Sequence, residues 1–289
     1  MSNVNLNLYR IFCKVAESKS YSEAAEKLNL TVSNVSTQIS NLESQLDLKL
    51  FNRETKGVTL TEEGQELYEI VNKSISSFDF AEKLAKDKNN IDKGIVKIGC
   101  PSHYTNYYLM DKIEKAKEEH PNLEVIVLCE LDKTKMINML KNHEIDFIIS
   151  DINFESENIV MKEIKTMQNI FVSKTPITIT NIKELEQLNC ILNFESSKTT
   201  KELKELLKQY DVNLTSTFAC DATENRVEAV KRNFGIGYVI KDSVNEELNN
   251  KELYEVKLPI ELPKVKLNLI YIKDEISKVG KEFIKEYLK

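Results

Sequence analysis

Before Leu48-Lys49-Leu50-Phe51, the first strand-like run, the apolar positions of the chain recur only at helical spacing. Residues 20–43 read as helix, turn, helix. Ser22 can cap a short helix whose small face, Ala24 and Ala25, admits a close neighbour and whose Leu28 closes the core side, and Asn29-Leu30 makes the turn. Thr31 then caps a second helix with Val35, Ile39, Leu42 and Leu46 on its core face. Residues 48–60 predict a short β-hairpin with Glu54-Thr55-Lys56-Gly57 at its tip. Residues 61–88 predict one long helix, capped by Thr61 with Glu62 and Glu63 in its first turn. Along it Leu60, Leu67, Val71, Phe78, Ala81 and Ala85 fall on an alternating four-and-three spacing, with Gly64 and Ser74 in the other slots. That is a heptad seam, packed either on its own chain or on a second copy.

A polar stretch, residues 86–94, separates this region from one where strand-length apolar runs alternate with amphipathic helical segments. Strands are predicted at residues 95–100, 123–129, 145–150, 170–173, 190–193, 216–220, 236–240 and 265–272, and helices at 105–119, 133–142, 199–210, 223–233 and 275–288. The alternation predicts an α/β domain, with right-handed crossovers making the sheets mainly parallel.

The polar face of the second helix carries Thr31, Val32, Ser33, Asn34, Ser36, Thr37 and Gln38, which are short donors and acceptors suited to phosphates and to an adenine edge. A solvated face on an ordinary helical bundle is the alternative. The hairpin that follows shifts the balance, because Arg53 and Lys56 at its tip and flank are placed to grip a nucleic-acid backbone, as in a winged helix-turn-helix. Composition raises an objection. The 289 residues are 41% hydrophobic and 30% charged, as in a globular protein, and carry a net charge of −6, which disfavours a polyanionic partner. The charge is uneven, however: residues 1–60 hold seven Lys/Arg against six Asp/Glu, whereas residues 61–91 hold four against seven. A reader with so small a positive charge is expected to bind DNA weakly as one subunit and to rely on paired subunits and neutral donors. Five cysteines without a Cys-x-x-Cys pair suit reduced thiols and argue against structural zinc, and neither a membrane span nor an export signal is apparent, so the cytoplasm is expected.

With these motifs in place, the sequence resembles the LysR-type transcriptional regulators. Their N-terminal pattern is matched by Leu8, Phe12, Val15, Ala16, Ser20, Ser22, Ala24-Ala25, Leu28, Ser33, Val35-Ser36, Gln38-Ile39, Leu42-Glu43, Leu46, Leu50-Phe51, Arg53, Leu60-Thr61 and Gly64. The resemblance implies an α/β protein with an N-terminal α-rich winged helix-turn-helix domain (residues 1–60), a linker helix and hinge that pairs subunits (61–91) and an effector-binding domain (92–289). That last domain resembles type 2 periplasmic binding proteins, with lobe I at about 92–163 and 265–289 and lobe II at about 164–264. Three positions depart from the family pattern. Asp47 and Lys19 stand where glycines are usual, implying altered turns, and Val32 replaces a frequent glutamine, which a thymine methyl would suit instead. The implied partners are double-stranded operator DNA, a small carboxylate or other anionic effector, and further copies of the chain as a homodimer or homotetramer.

The effector cleft is expected where loops leave strand C-termini and enter helices. Pro101, Ser102, His103 and Tyr104 follow the first strand, and Ser196, Ser197 and Thr199 follow a later one. Glu130 and Thr223 are possible side contacts. N-capping alone is the plainer reading of these hydroxyls. Cys100 adjoins the cleft and Cys129 ends a neighbouring strand, so a thiol-sensing regulator is the alternative function, and a cytoplasmic solute-binding protein is a more distant one. His103, His120 and His143 are far apart and form no catalytic or metal motif, so neither an enzyme nor a cofactor is expected.

Overall fold

The computed structural model describes residues 4–54, 57–86, 91–129, 132–154 and 156–288. The chain divides into two units, Met1–Asp87 with Lys141–Glu144, and Lys88–Leu140 with Ile145–Lys289.

The first unit begins with three helices, α1 (Leu6–Ser18), α2 (Tyr21–Leu28) and α3 (Val32–Leu46). Asn5, Ser20 and Thr31 cap them through side-chain oxygens that accept backbone N–H bonds. The α2 cap is therefore Ser20 and not Ser22, since the helix opens two residues earlier than its small face suggests. Phe12, Val15, Ala24, Val35, Leu42 and Leu50 are fully buried between the helices and the hairpin of β1 (Phe51–Glu54) and β2 (Gly57–Leu60). Lys19 and Asp47 keep left-handed backbones (φ 51° and 54°), so both turns are retained without glycine, against the expectation of altered turns. The Lys19 carbonyl then accepts the Val58 N–H at 3.1 Å, and Gly57 (φ 97°) has no room for a Cβ, which would lie 2.5 Å from that oxygen.

Glu43 ties α3 to the hairpin. Only 8% exposed, it accepts from the Leu50 N–H at 2.9 Å and from Lys49 Nζ at 2.7 Å. Burial alone would raise its pKa, but the bonds from Lys49 and from the backbone of Leu50 and Phe51 outweigh it, and the pKa is lowered.

The long helix α4 (Glu62–Lys86) follows. Its seam does not form one stripe. Leu67, Val71 and the buried Ile75 pack with the helices of the first unit, whereas Ile70, Phe78, Ala81 and Ala85 are exposed, with Ile70 at 69%. A straight helix falls ~20° short of two full turns in each heptad, so over its length the apolar positions divide between two faces.

The second unit contains β3 (Ile95–Gly99), a helical stretch made of α5 (Ser102–Tyr104), a π-helical turn (Thr105–Leu109) and α6 (Met110–Glu119), then β4 (Glu124–Leu128), α7 (Lys133–Lys141), β5 (Phe147–Ser150) and β6 (Ile159–Ser173). It continues with β7 (Cys190–Leu192), α8 (Lys198–Lys208), β8 (Ser216–Ala219), α9 (Thr223–Lys231), β9 (Ile236–Ile240), α10 (Asn245–Asn249), β10 (Tyr254–Glu255), β11 (Lys264–Ile272) and α11 (Lys278–Tyr287). The strands order as β4-β3-β5-β11-β6-β9-β7-β8, with β10 on β6. The outer pairings β3 with β4 and β5, and β7 with β8 and β9, are parallel, as expected. The middle of the sheet is not: β11 runs antiparallel to β5 and β6, and β6 antiparallel to β9. Most of β6 escapes a hydrophobic reading because Met161, Lys162 and Glu163 are exposed and only its second half is buried. Separate apolar clusters form on either side of this crossing pair, one around Phe147 and Phe283 and another around Phe171 and Tyr238. Among the described residues no helix is long and apolar enough to cross a membrane.

Two stability effects are expected in thermal unfolding of the full chain. Glu43→Gln should destabilise by ~1–3 kcal/mol near neutral pH. Because the folded pKa is depressed, that contribution is complete above the ordinary glutamate pKa and is lost as pH falls through the folded one, so the difference from wild type should shrink below pH ~4. Asp47→Gly should raise the unfolding temperature, because it relieves a left-handed non-glycine and removes a carboxylate from a helix C-terminus, together worth about 1 kcal/mol.

Candidate functional site

Two arrangements answer to the sequence expectations. In the first unit, Thr31, Val32, Ser33, Asn34 and Thr37 are exposed around the start of α3, and Ser36 and Gln38 are half-buried. Two hydroxyls already serve the helix. Thr31 Oγ1 accepts from the Asn34 N–H at 3.2 Å, and Thr37 Oγ1 donates to the Ser33 carbonyl at 2.9 Å. Val32 is 46% exposed, an apolar surface with no core to join. The side chains of Arg53, Lys56 and Glu130 lie outside the described residues.

In the second unit a cavity of about 670 Å³ opens where four loops leave the C-terminal ends of β3, β5, β7 and β8. Pro101, Ser102, His103 and Tyr104 line it after β3, and Ser196, Ser197 and Thr199 after β7, together with Thr223 at the start of α9. Among the described residues, every one expected at the cleft lines this one cavity. Some also perform the structural role considered for them: Ser197 Oγ caps α8 by accepting from the Thr200 N–H at 3.2 Å. Burial lowers the His103 pKa, Asp151 opposes this and Arg226 reinforces it, so the imidazole is neutral near pH 7.

Arg226, Asp151, Asn169 and Tyr238 also line the cavity and were missed in the sequence. Arg226 is 7% exposed. Its Nη1 donates to the carbonyls of Cys220 (2.6 Å) and Asp221 (2.8 Å), and Nη2 to Thr223 Oγ1 (3.1 Å), while Nε is buried without a hydrogen-bond partner. Desolvation lowers its pKa from the ordinary arginine value, with nearby acidic groups opposing. A guanidinium among the residues that line a cavity favours anionic groups there.

The cysteines are free. Cys100, Cys13 and Cys190 are buried, Cys129 is exposed, and Cys220 lies between. Burial pushes the Cys100 thiol up to about 12, which leaves little thiolate for redox chemistry.

A helix-turn-helix with a hairpin wing, followed by an α/β unit with a loop-lined cavity, defines a DNA reader combined with a small-molecule receptor. The family model described as "Bacterial regulatory helix-turn-helix protein, lysR family" matches residues 6–65, and that of the LysR substrate binding domain matches residues 90–289. The chain belongs to the LysR family of DNA-binding transcriptional regulators. It is 35% identical to the HTH-type transcriptional regulator CzcR of Bacillus subtilis over 144 residues, 47% of this chain and 46% of that one, so this match spans about half of the relative's length. To YofA of Bacillus velezensis, another HTH-type transcriptional regulator, it is 23% identical over 267 residues, 92% and 91% of the two chains. A full-length OxyR variant from Pseudomonas aeruginosa shares the fold, with a TM-score of 0.72 at 15% identity over 99% of this chain and 96% of that one.

Thiol reactivity should follow burial. On brief treatment with iodoacetamide, peptide mass spectrometry is expected to find Cys129 alkylated first and Cys100, Cys13 and Cys190 protected until the protein is unfolded.

Proposed function

We propose that this regulator reads operator DNA with α3 and the hairpin, and that a small effector bearing a carboxylate or other anion in the cavity modulates that binding. The observation that carries the reading is Arg226, a guanidinium only 7% exposed whose residue lines the cavity. A guanidinium there favours an anionic oxygen through charge-assisted hydrogen bonds. Ser102, Ser197 and Thr199 add hydroxyls around it, with Pro101, His103, Tyr104, Ser196 and Thr223 completing the wall. Glu130 is retained as a possible contact by its place in the sequence alone.

At the DNA, Asn34 and Gln38 are the proposed base readers, with Ser33, Ser36, Thr31 and Thr37 toward phosphates, Val32 toward a thymine methyl, and Arg53 and Lys56 on the backbone. The proposed division is residues 1–60 for reading, 61–91 for pairing and 92–289 for sensing, with lobes at about 92–163 plus 265–289 and 164–264. Exposed Ile70, Phe78, Ala81 and Ala85 on α4 support a homodimer, and a pair of such dimers would give a homotetramer. A DNA partner supports a cytoplasmic location.

Selection from a random duplex library by the full chain tests the DNA reading. The wild type is expected to enrich one motif. Gln38→Ala should relax it at one base position, at a cost of ~1–3 kcal/mol on the selected duplex. Arg53→Ala should weaken binding to all duplexes and shallow the salt dependence. No enrichment by the wild type would overturn sequence-specific reading, and an unchanged motif would remove Gln38 from it.

A further inference from the structure

The cavity is not lined as a receptor for a simple anion. Among its described lining residues the fixed cations are Lys198 and Arg226, and the carboxylates are Asp151, Asp221 and Glu224. Acid exceeds base, and the three carboxylates are not equally committed. Glu224 Oε1 accepts from Asn106 Nδ2 at 2.8 Å, and Asp221 Oδ1 accepts from the Ala222 N–H at 2.8 Å beside the start of α9. Asp151 is half-buried at the end of β5, and no described cation lies within ion-pair distance of its carboxylate. Its neighbours are hydroxyls: Ser150 Oγ at 3.5 Å, and Tyr104, whose ionisation burial and then the Asp151 charge both oppose. Lys198 reaches the main-chain carbonyl of Asp151 at 3.5 Å and Glu202 at 3.9 Å.

The cavity is therefore lined by a guanidinium and, in Asp151, by a carboxylate that has no ion-pair partner among the described residues. A ligand that was anionic only would suit the first and crowd the second with like charge, without a group to compensate it. We infer that the effector is a zwitterion of the α-amino acid class, its carboxylate held by the Arg226 guanidinium and its ammonium by Asp151. This rests on the cavity being the effector site, as proposed above. The ring of His103 packs against Tyr104 at 4.1 Å, and the neutral imidazole adds no competing positive charge beside the ammonium.

The test compares three probe pools on the full chain by unfolding temperature and native mass spectrometry: the proteinogenic amino acids, the matching α-hydroxy acids, and the matching decarboxylated amines. The amino-acid pool should raise the unfolding temperature and the other two should not. Asp151→Asn, close in shape, should weaken the responding amino acid by about tenfold or more, a change of ~1.4 kcal/mol. No shift with amino acids, an equal shift with the hydroxy acids, or an Asp151→Asn variant that binds as tightly as wild type would overturn the zwitterion. If hydroxy acids bind and Arg226→Gln removes that binding, the cavity remains the effector site and only the ligand class falls. If binding from any pool survives in a folded Arg226→Gln variant, the cavity reading itself falls.

Discussion

A guanidinium cannot shed its charge on burial, so Arg226 imposes a requirement that the surrounding chain meets only in part. Two bonds anchor it to the loop between β8 and α9 and a third to Thr223 at the start of α9, fixing that loop against the cavity. As a residue lining the cavity, Arg226 favours negative charge there through charge-assisted hydrogen bonds. On the proposed reading, an effector held there would order this loop and so link its binding to protein conformation.

The position of Arg226 matters because of the sheet beneath it. β6 and β11 pair over nine residues, from Lys264 opposite Gln168 to Ile272 opposite Ile159, with one irregularity at Leu267/Asn268. Parallel strands attach on both sides of this antiparallel spine, so their C-terminal loops converge from two sides on one cavity. Asn106 bonds Glu224, and Lys198 bonds the Asp151 carbonyl, so polar bridges already join loops that belong to different parallel sets. In the other unit Glu43 works by the same logic with its requirement fully met: a buried charge accepts from the hairpin backbone and from Lys49, and so sets the hairpin against α3.

Much of this was legible in the sequence. The helix-turn-helix, the hairpin and the long helix follow from periodicity and capping residues, and hydroxyl-rich turns after apolar runs located both principal walls of the cavity. What escaped had physical reasons. Exposed charge along the first half of β6 hid a strand whose stability comes from its ladder with β11. Asp151 reads as an ordinary polar residue after a strand, and its isolation is a property of three-dimensional neighbours. Arg226 did carry a signal: Thr223, Arg226, Val227 and Val230 all fall on the buried face of α9, so an arginine occupies a core-facing position. The left-handed turns at Lys19 and Asp47 show that packing can hold a turn which residue preference alone disfavours.

The central claim is that a ligand held by Arg226 changes how the protein binds DNA. Its most direct test is the equilibrium affinity of the full chain for its selected duplex, measured by fluorescence anisotropy with and without the small molecule that raises its unfolding temperature. Wild-type affinity should change by about fivefold or more on ligand addition, and the affinity of folded Arg226→Gln should not change. A wild-type affinity indifferent to the bound ligand, or a ligand response retained in Arg226→Gln, would contradict it.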